Sequence, residues 1–442
     1  MKGDGNMKKS WVFILVITFT CIAVVLVVSL QFLPVEKLLR PPKQEGENSV
    51  IQEVFEQNVS GGYTLKVAES GEYDTAYNFA DIDGDSQQEV IVTYCEPEDG
   101  DIIKFCILDK NDNEWEFLTE INTEYNVLEF VDFLDTDNDS IKELVLGMSI
   151  KGALVTKRLN IYDINTDKGV PSADLCYEFD YTGISISDIN SDGTLEIVKT
   201  DISKNRHKLS VLNYRNGKFS TLSSVYINKN LKTLTALNTD RVTDGRFNRI
   251  HLDGYIIDGT LSTFCYLFDS NNNKLTEING GGSFDGLSIS RKIYVNSTDI
   301  NDDGLIELPL QTQLNDSEII SSDFSDSSVD IILWSHVYKN KSEEVLYHIK
   351  NNKHKYTVVF DPDWYVRFTF VMDVDKGELT FYTLDENQKR SEPILSILTT
   401  SEELAQYTKI NENSKRNYYL IMHDYALSKG FTIDKVKKYI LF

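Results

Sequence analysis

The sequence predicts a mainly β protein: a β-propeller of repeated blades, with an N-terminal transmembrane helix and a small C-terminal α+β region. Three observations carry this expectation. An acidic nine-residue loop recurs at 81–89, 135–143, 188–196 and 299–307. Each copy runs into an apolar, β-branched stretch: EVIVTY, ELVLGM, EIVKTD and ELPLQT. The first three loops start 54 and 53 residues apart and the last starts 111 residues later, so a fifth, degenerate unit falls in the long interval. Self-similarity at a fixed period marks a repeat architecture, and several short strands per unit suit propeller blades. A series of β-sandwiches is the alternative, but one loop per unit favours the propeller.

Residues 1–10 carry Lys2, Lys8 and Lys9 and are expected to form a cytoplasmic tail. Residues 11–33, WVFILVITFTCIAVVLVVSLQFL, hold no charge. They exceed the roughly 20 residues a helix needs to cross a bilayer. The run is too long for a signal-peptide core and no small-x-small cleavage site follows, so an uncleaved, single-pass signal anchor in the cell membrane is expected. Flanking charge does not set the orientation, because Lys37, Arg40 and Lys43 balance the N-terminal lysines. The large C-terminal part is placed outside the cell, where Ca²⁺ is abundant enough to fill weak loops. Residues 34–60, with Pro34, Pro41, Pro42 and the polar run KQEGENS, read as a linker.

Residues 61–352 hold the repeats. The degenerate copy is LNTDRVTDGR, around Asp240 and Asp244, followed by RIHLDGYI. A second strand-like run ending in a polar turn completes each unit: KFCILDKNDNEW, RLNIYDINTDKG, KLSVLNYRNGKF, FCYLFDSNNNKL and DIILWSHVYKNKSEE. Asn, Asp and Gly between apolar runs are hairpin signals. From 353 to 442 the acidic loop is absent. KYTVVFDPDW, YVRFTFVMDV and ELTFYTLDE read as three strands, SEELAQY as a short helix, NYYLIMHDYA as a strand and 432–442 as an amphipathic end. This region is expected to be a cap or a closing blade.

The net charge of −25 argues against a nucleic-acid partner, which needs a basic face. Of the five cysteines, Cys21 lies in the apolar segment and Cys176 and Cys265 stand alone. Cys95 and Cys106 could meet across a hairpin, although two small buried residues fit better.

The loops are where the chemistry concentrates. Each offers side-chain oxygens at positions 1, 3, 5 and 9 and a backbone carbonyl at 7, the pattern with which a short loop wraps a hard divalent cation. The candidate ligands are Asp81, Asp83, Asp85, Gln87 and Glu89; Asp135, Asp137, Asp139, Ile141 and Glu143; Asp188, Asn190, Asp192, Thr194 and Glu196; and Asp299, Asn301, Asp303, Leu305 and Glu307. Position 7 (Gln87, Ile141, Thr194, Leu305) contributes only its carbonyl. Fourteen carboxylates at these positions repel one another unless a cation, here Ca²⁺, compensates them. An EF-hand is excluded, because its bidentate glutamate at position 12 is replaced by Val92, Leu146, Lys199 and Leu310 and strand formers stand where helices are required. Asp and Asn also build turns without metal, but four copies at regular spacing before strands favour an ion.

These loops resemble the FG-GAP/VCBS-type repeats of integrin α-subunit propellers and bacterial surface proteins, on the strength of NFADIDGDSQQEVIV, DINSDGTLEIV and DINDDGLIEL. The resemblance spans about residues 61–345. It implies a propeller with Ca²⁺ in a hairpin loop near the start of each blade, held in the first loop by Asp81, Asp83, Asp85 and Glu89 and the Gln87 carbonyl. The chain departs from the family in lacking the Phe-Gly and Gly-Ala-Pro signatures, in having Glu at position 9, and in having Asn138 and Ser140 where glycine is common.

Catalytic patterns are missing. None of His207, His251, His336, His348, His354 and His423 has HExxH spacing. The GGSFD at 281–285 lacks the last glycine of a nucleophile elbow, and there is no phosphate-binding or dinucleotide loop. The expected function is therefore a non-enzymatic, membrane-anchored extracellular Ca²⁺-binding protein that recognises a protein or glycan. An enzyme or enzyme accessory acting on cell-surface polysaccharide, and a structural spacer or sensor ectodomain, are the alternatives.

Overall fold

The computed structural model describes residues 47–442, apart from 60, 98–99, 112–113, 153–156, 167–170, 204–205, 242–246, 279–282, 285–286, 323–328, 338–341, 361–366 and 414. The tail, the apolar segment at 11–33, residues 34–46 and Asp244 lie outside the described residues. Among the described residues no helix is long and apolar enough to cross a membrane. The protein is mainly β, with antiparallel meanders repeated along the chain. It divides into two compact units, Met1–Asp180 and Tyr181–Phe442.

The first unit holds two meanders. One joins Tyr77–Ala80, Glu89–Cys95, Ile103–Asn111 and Glu114–Asn122, with Thr64–Leu65 beside the far end of Glu89–Cys95. The other joins Val127–Leu134, Glu143–Ser149, Lys157–Asn165 and Ser172–Tyr181. Glu89–Cys95 is buried along its whole length, because each of its faces has a cover. Side chains alternate across a strand, so Val90, Val92 and Tyr94 face one way and Ile91 the other. Val90, Val92 and Tyr94 pack with Cys106 and Leu108 against helix α1, Glu47–Asn58. Ile91 joins Phe105 and Ile107 against Leu128, Val131, Leu144 and Leu146 of the second meander.

Helix α1 occupies Glu47–Asn58, the latter part of the stretch expected to be a linker. Ile51 and Phe55, four residues apart and so on one helix face, are 1% and 0% exposed. Phe55 meets Tyr63 and Tyr94 edge-on at 4.9 and 5.2 Å. The polar composition of KQEGENS masked the apolar spacing that begins just after it.

The second unit opens with the meander Gly183–Ser187, Glu196–Ser203, Arg206–Arg215 and Lys218–Tyr226. It continues with Leu231–Arg241, Phe247–Ile256, Leu261–Asp269 and Lys274–Glu277. A third sheet joins Leu308–Gln311, Val329–Val337, Ser342–Asn351 and Tyr356–Phe360, with Ile440–Leu441 at its edge. The last, six-stranded sheet includes Glu318–Ile320, parallel to Phe368–Asp373, followed by Glu378–Leu384, Arg390–Thr400, Arg416–Met422 and Thr408–Asn413. Successive sheets share cores: Val198 and Val211 with Leu252 and Phe264, Cys265 with Leu308 and Leu333, and Ile349 and Val358 with Phe370 and Phe381.

Two expectations for the C-terminal region change. The boundary expected at 353 falls inside a hairpin, since Ser342–Asn351 pairs with Tyr356–Phe360. Residues 401–407 form bends and turns rather than a helix, between the paired strands Arg390–Thr400 and Arg416–Met422. The β-branched, alternating run before SEELAQY outweighs the helix formers within it. The helices lie later, at α2, Asp424–Ser428, and α3, Ile433–Lys437. Cys95 and Cys106 are free and buried. They stand opposite Ile103 and Val92, out of register with each other.

Candidate metal centres

Each acidic loop closes a hairpin. The residue before the loop pairs with the ninth-position glutamate: Ala80 with Glu89, Leu134 with Glu143, Ser187 with Glu196 and Thr298 with Glu307. Strand formers on both sides therefore bring the two ends of the acidic stretch face to face.

Within the loops the backbone organises the carboxylates identically. The position-2 N–H donates to Oε2 of the glutamate: Ile82 to Glu89 at 2.8 Å, Thr136 to Glu143 at 2.7 Å, Ile189 to Glu196 at 3.1 Å and Ile300 to Glu307 at 2.9 Å. The position-6 N–H donates to the first aspartate, from Ser86 to Asp81, Ser140 to Asp135, Gly193 to Asp188 and Gly304 to Asp299. The position-7 N–H donates to the fifth-position aspartate, from Gln87 to Asp85, Ile141 to Asp139, Thr194 to Asp192 and Leu305 to Asp303. An ionised carboxylate has about four lone-pair sites, so these bonds fix each group and leave it acceptor capacity.

Positions 4 and 6 take left-handed φ in all four loops. Gly84, Gly193 and Gly304 adopt it without steric cost. The loop at 135–143 has no glycine there, yet Asn138 and Ser140 adopt φ of 65° and 77°. The turn survives the sequence departure, at a cost of about 1–2 kcal/mol for a residue such as Ser140.

Ligand atoms converge within 4.8 Å of one another in three places: Asp81 with Asp83 and Asp85, Asp135 with Asp137 and Glu143, and Asp303 with Glu307 and His336. Glu89 and Asp139 belong to their loops but stand outside these groups, as does Asp299. At 188–196 the arrangement differs. The Asn190 amide donates to Asp192 Oδ2 at 2.9 Å and to Glu196 Oε1 at 2.6 Å, so its NH₂ takes the central position. A cation there requires the Asn190 amide to rotate and present its oxygen.

The glutamates are the most buried members. Glu89, Glu196 and Glu307 are 0% exposed. Burial pushes the Glu89 carboxyl up to about 8, and those of Glu143 and Glu196 up to about 7, with neighbouring aspartates adding to the rise. Glu89 Oε1 accepts no hydrogen bond. A buried carboxylate among other carboxylates is costly to ionise unless a positive charge joins it.

One class of site residue escaped the sequence reading. The strand after each glutamate brings a polar side chain level with it. Glu196 pairs with Asn213 directly. One step beyond Val90–Leu108, Leu144–Tyr162 and Leu308–Ser335, the same ladders bring Glu89 to Asp109, Glu143 to Asp163 and Glu307 to His336. Asp83 and Asp85 help raise the Asp109 carboxyl after burial. His336 Nε2 lies 2.6 Å from Glu307 Oε1 and 3.7 Å from Asp303 Oδ2. The signal was present, since ILD, IYD, VLN and WSH end equivalent apolar runs, but each polar residue looked like the start of a turn.

The degenerate unit explains itself. Asp240 pairs with Arg249 at the same nine-residue offset as Ala80 with Glu89, so an arginine stands where the other units place glutamate. Arg249 Nε donates to Asp240 Oδ1 at 2.9 Å, and a second bond joins Nη2 to Oδ2. Burial opposes ionisation of Asp240, but His251 and Arg249 hold its carboxyl far below the usual range. Asp240 Oδ2 also accepts from Ile306 N at 2.6 Å, and Arg249 Nη1 donates to the Val337 carbonyl at 3.0 Å. A guanidinium thus supplies the positive charge here, and the Asp240 carboxylate it holds accepts from the loop at 299–307.

No protein-family profile and no curated protein matches the chain. Among solved structures, a hypothetical selenium-binding protein from Sulfolobus tokodaii is similar at 9% identity over 47% of this chain, with a TM-score of 0.30. The chain spans about half the length, 54%, of that protein. An exotype rhamnogalacturonan lyase is similar at 11% identity over 69% of this chain and 71% of its own, with a TM-score of 0.29.

Proposed function

We propose that this chain is a non-enzymatic, membrane-anchored extracellular Ca²⁺-binding protein of the FG-GAP/VCBS type, its meanders acting as propeller blades that present a surface to a protein or glycan. The observation that carries the reading is the hydrogen-bond scaffold shared by the four loops. In each, backbone N–H groups hold the first, fifth and ninth carboxylates in place, and at 81–89 and 135–143 three of the acids bring ligand atoms within 4.8 Å of one another. Ca²⁺ takes six to eight oxygens at 2.3–2.6 Å, and oxygen is nearly all that the loops at 81–89, 135–143 and 188–196 offer. The blade reading is supported by the repeated antiparallel meander and by the cores that successive sheets share within each unit.

The role of the ion is structural. It ties the two ends of a hairpin together and offsets carboxylate repulsion, so site and fold form together. Recognition is supported by exposed side chains away from the loops. Tyr226 and Tyr294 are 82% and 68% exposed, and Tyr294 stacks on Tyr255 at 6.4 Å. Rings of this kind anchor protein or sugar partners. The test is a melting curve of the full-length chain, stripped of metal and titrated with Ca²⁺. A rising midpoint supports the reading, and a midpoint that ignores Ca²⁺ sinks it.

A further inference from the structure

We propose that the loop at 299–307, joined by His336, is a site for a borderline transition-metal dication of the Zn²⁺ class rather than for Ca²⁺. The inference rests on reading the loops as metal sites and assigns this one a different ion. Three ligand atoms, two carboxylate oxygens and one imidazole nitrogen, converge here within 4.8 Å, from Asp303, Glu307 and His336. They come from two elements, the acidic loop and the strand Val329–Val337, so the cluster is more than neighbouring acids in one turn.

Two of the three donors are built in: Glu307 is 0% and His336 8% exposed, while the Asp303 side chain is 39% exposed. Ile300 N–H holds Glu307 Oε2, which leaves Oε1 facing the imidazole. Oε1 lies 2.6 Å from the His336 Nε2, an ion-pair contact that joins the strand Val329–Val337 to the loop. Bonds of about 2.0–2.2 Å in a tetrahedral site place neighbouring donors roughly 3.3–3.6 Å apart. The Asp303–His336 separation of 3.7 Å already meets that spacing, and the Glu307–His336 pair has to open by less than about 1 Å.

The comparison within the chain sets the selectivity. Where this unit has His336, the other units have Asp109, Asp163 and Asn213, all oxygen donors. Imidazole suits Zn²⁺ and its neighbours in the first transition row, whereas Ca²⁺ takes oxygen.

The experiment is calorimetry with Zn²⁺ on the metal-stripped full-length chain, held in excess Ca²⁺. One Zn²⁺ should bind, and His336→Gln should weaken it by more than the roughly 10–100-fold that loss of an outer-shell partner costs. His336→Asp should lose Zn²⁺ in the same way and gain one Ca²⁺ equivalent. Circular dichroism and the melting midpoint of each variant check that both are folded. Zn²⁺ binding unchanged in both variants overturns the proposal, because the ion then sits elsewhere. Absence of Zn²⁺ heat from the wild-type chain overturns it too, and leaves the His336 imidazolium as the partner of Glu307. Ca²⁺ heats at the other loops are read separately, so a failure there rejects the calcium reading without touching this one.

Discussion

The ninth-position glutamates hold the account together at the level of single residues. Each is an acid at the start of a buried strand, a place where a carboxylate is tolerated only with a partner. With the carboxyls of Glu89, Glu143 and Glu196 raised to about 8, 7 and 7, the folded chain binds protons that the unfolded chain, with carboxyls near 4.5, has released. Their contribution to stability is then complete below about pH 4.5 and is lost as pH climbs through 7 to 8. Ca²⁺ needs the ionised form, so it acts in the opposite sense. In a chelator the melting temperature should fall between about pH 5 and pH 8, and excess Ca²⁺ should flatten or reverse that slope. Parallel pH curves with and without Ca²⁺ would count against the glutamates as ligands. Glu89→Gln should remove the first loop's share of both effects, raising metal-free stability at about pH 8 while losing one Ca²⁺.

Hairpins and helices respond as units. The four loops are separate hairpin ends, so they should load separately. Asp135→Ala should delete one Ca²⁺ equivalent and leave the loops at 81–89 and 188–196 unchanged, as counted by calorimetry; loss of all Ca²⁺ binding would show that the sites are coupled. Helix α1 makes a different prediction. Phe55→Ala empties a fully buried aromatic site between α1 and the first meander and should cost about 3–5 kcal/mol in denaturant unfolding. A cost below about 1 kcal/mol would mean that α1 only rests on the sheet.

Strands were legible wherever alternation or β-branching was strong, as in EVIVTYC and VDIILWSHV. The loop turns were legible because Gly, Asn and Asp favour them. What escaped needed pairing register. Asp109, Asp163, Asn213 and His336 join the sites only once neighbouring strands align, and nothing local marks them. Arg249 was hidden for the same reason: its identity as the counterpart of Glu89 follows from the offset to Asp240. Helix α1 was missed because charged residues interrupt its apolar stripe, so its stability comes from docking rather than from sequence propensity.

For the molecule as a whole, acidity and architecture express one design. A chain of net charge −25 gathers carboxylates where strands meet, and bound cations at the hairpin ends would offset their repulsion. One unit carries its own cation in Arg249, and another brings His336 to its acids. The apolar segment at 11–33 predicts that carbonate extraction leaves the full-length protein in the membrane pellet; release into the supernatant would mean that the segment is not an anchor. The most direct test of the central claim is calorimetry of the metal-stripped full-length chain titrated with Ca²⁺. Saturable heat from the loops at 81–89, 135–143 and 188–196, lost one site at a time in Glu89→Gln, Glu143→Gln and Glu196→Gln, is the predicted result. A flat titration of the folded wild-type chain would contradict it.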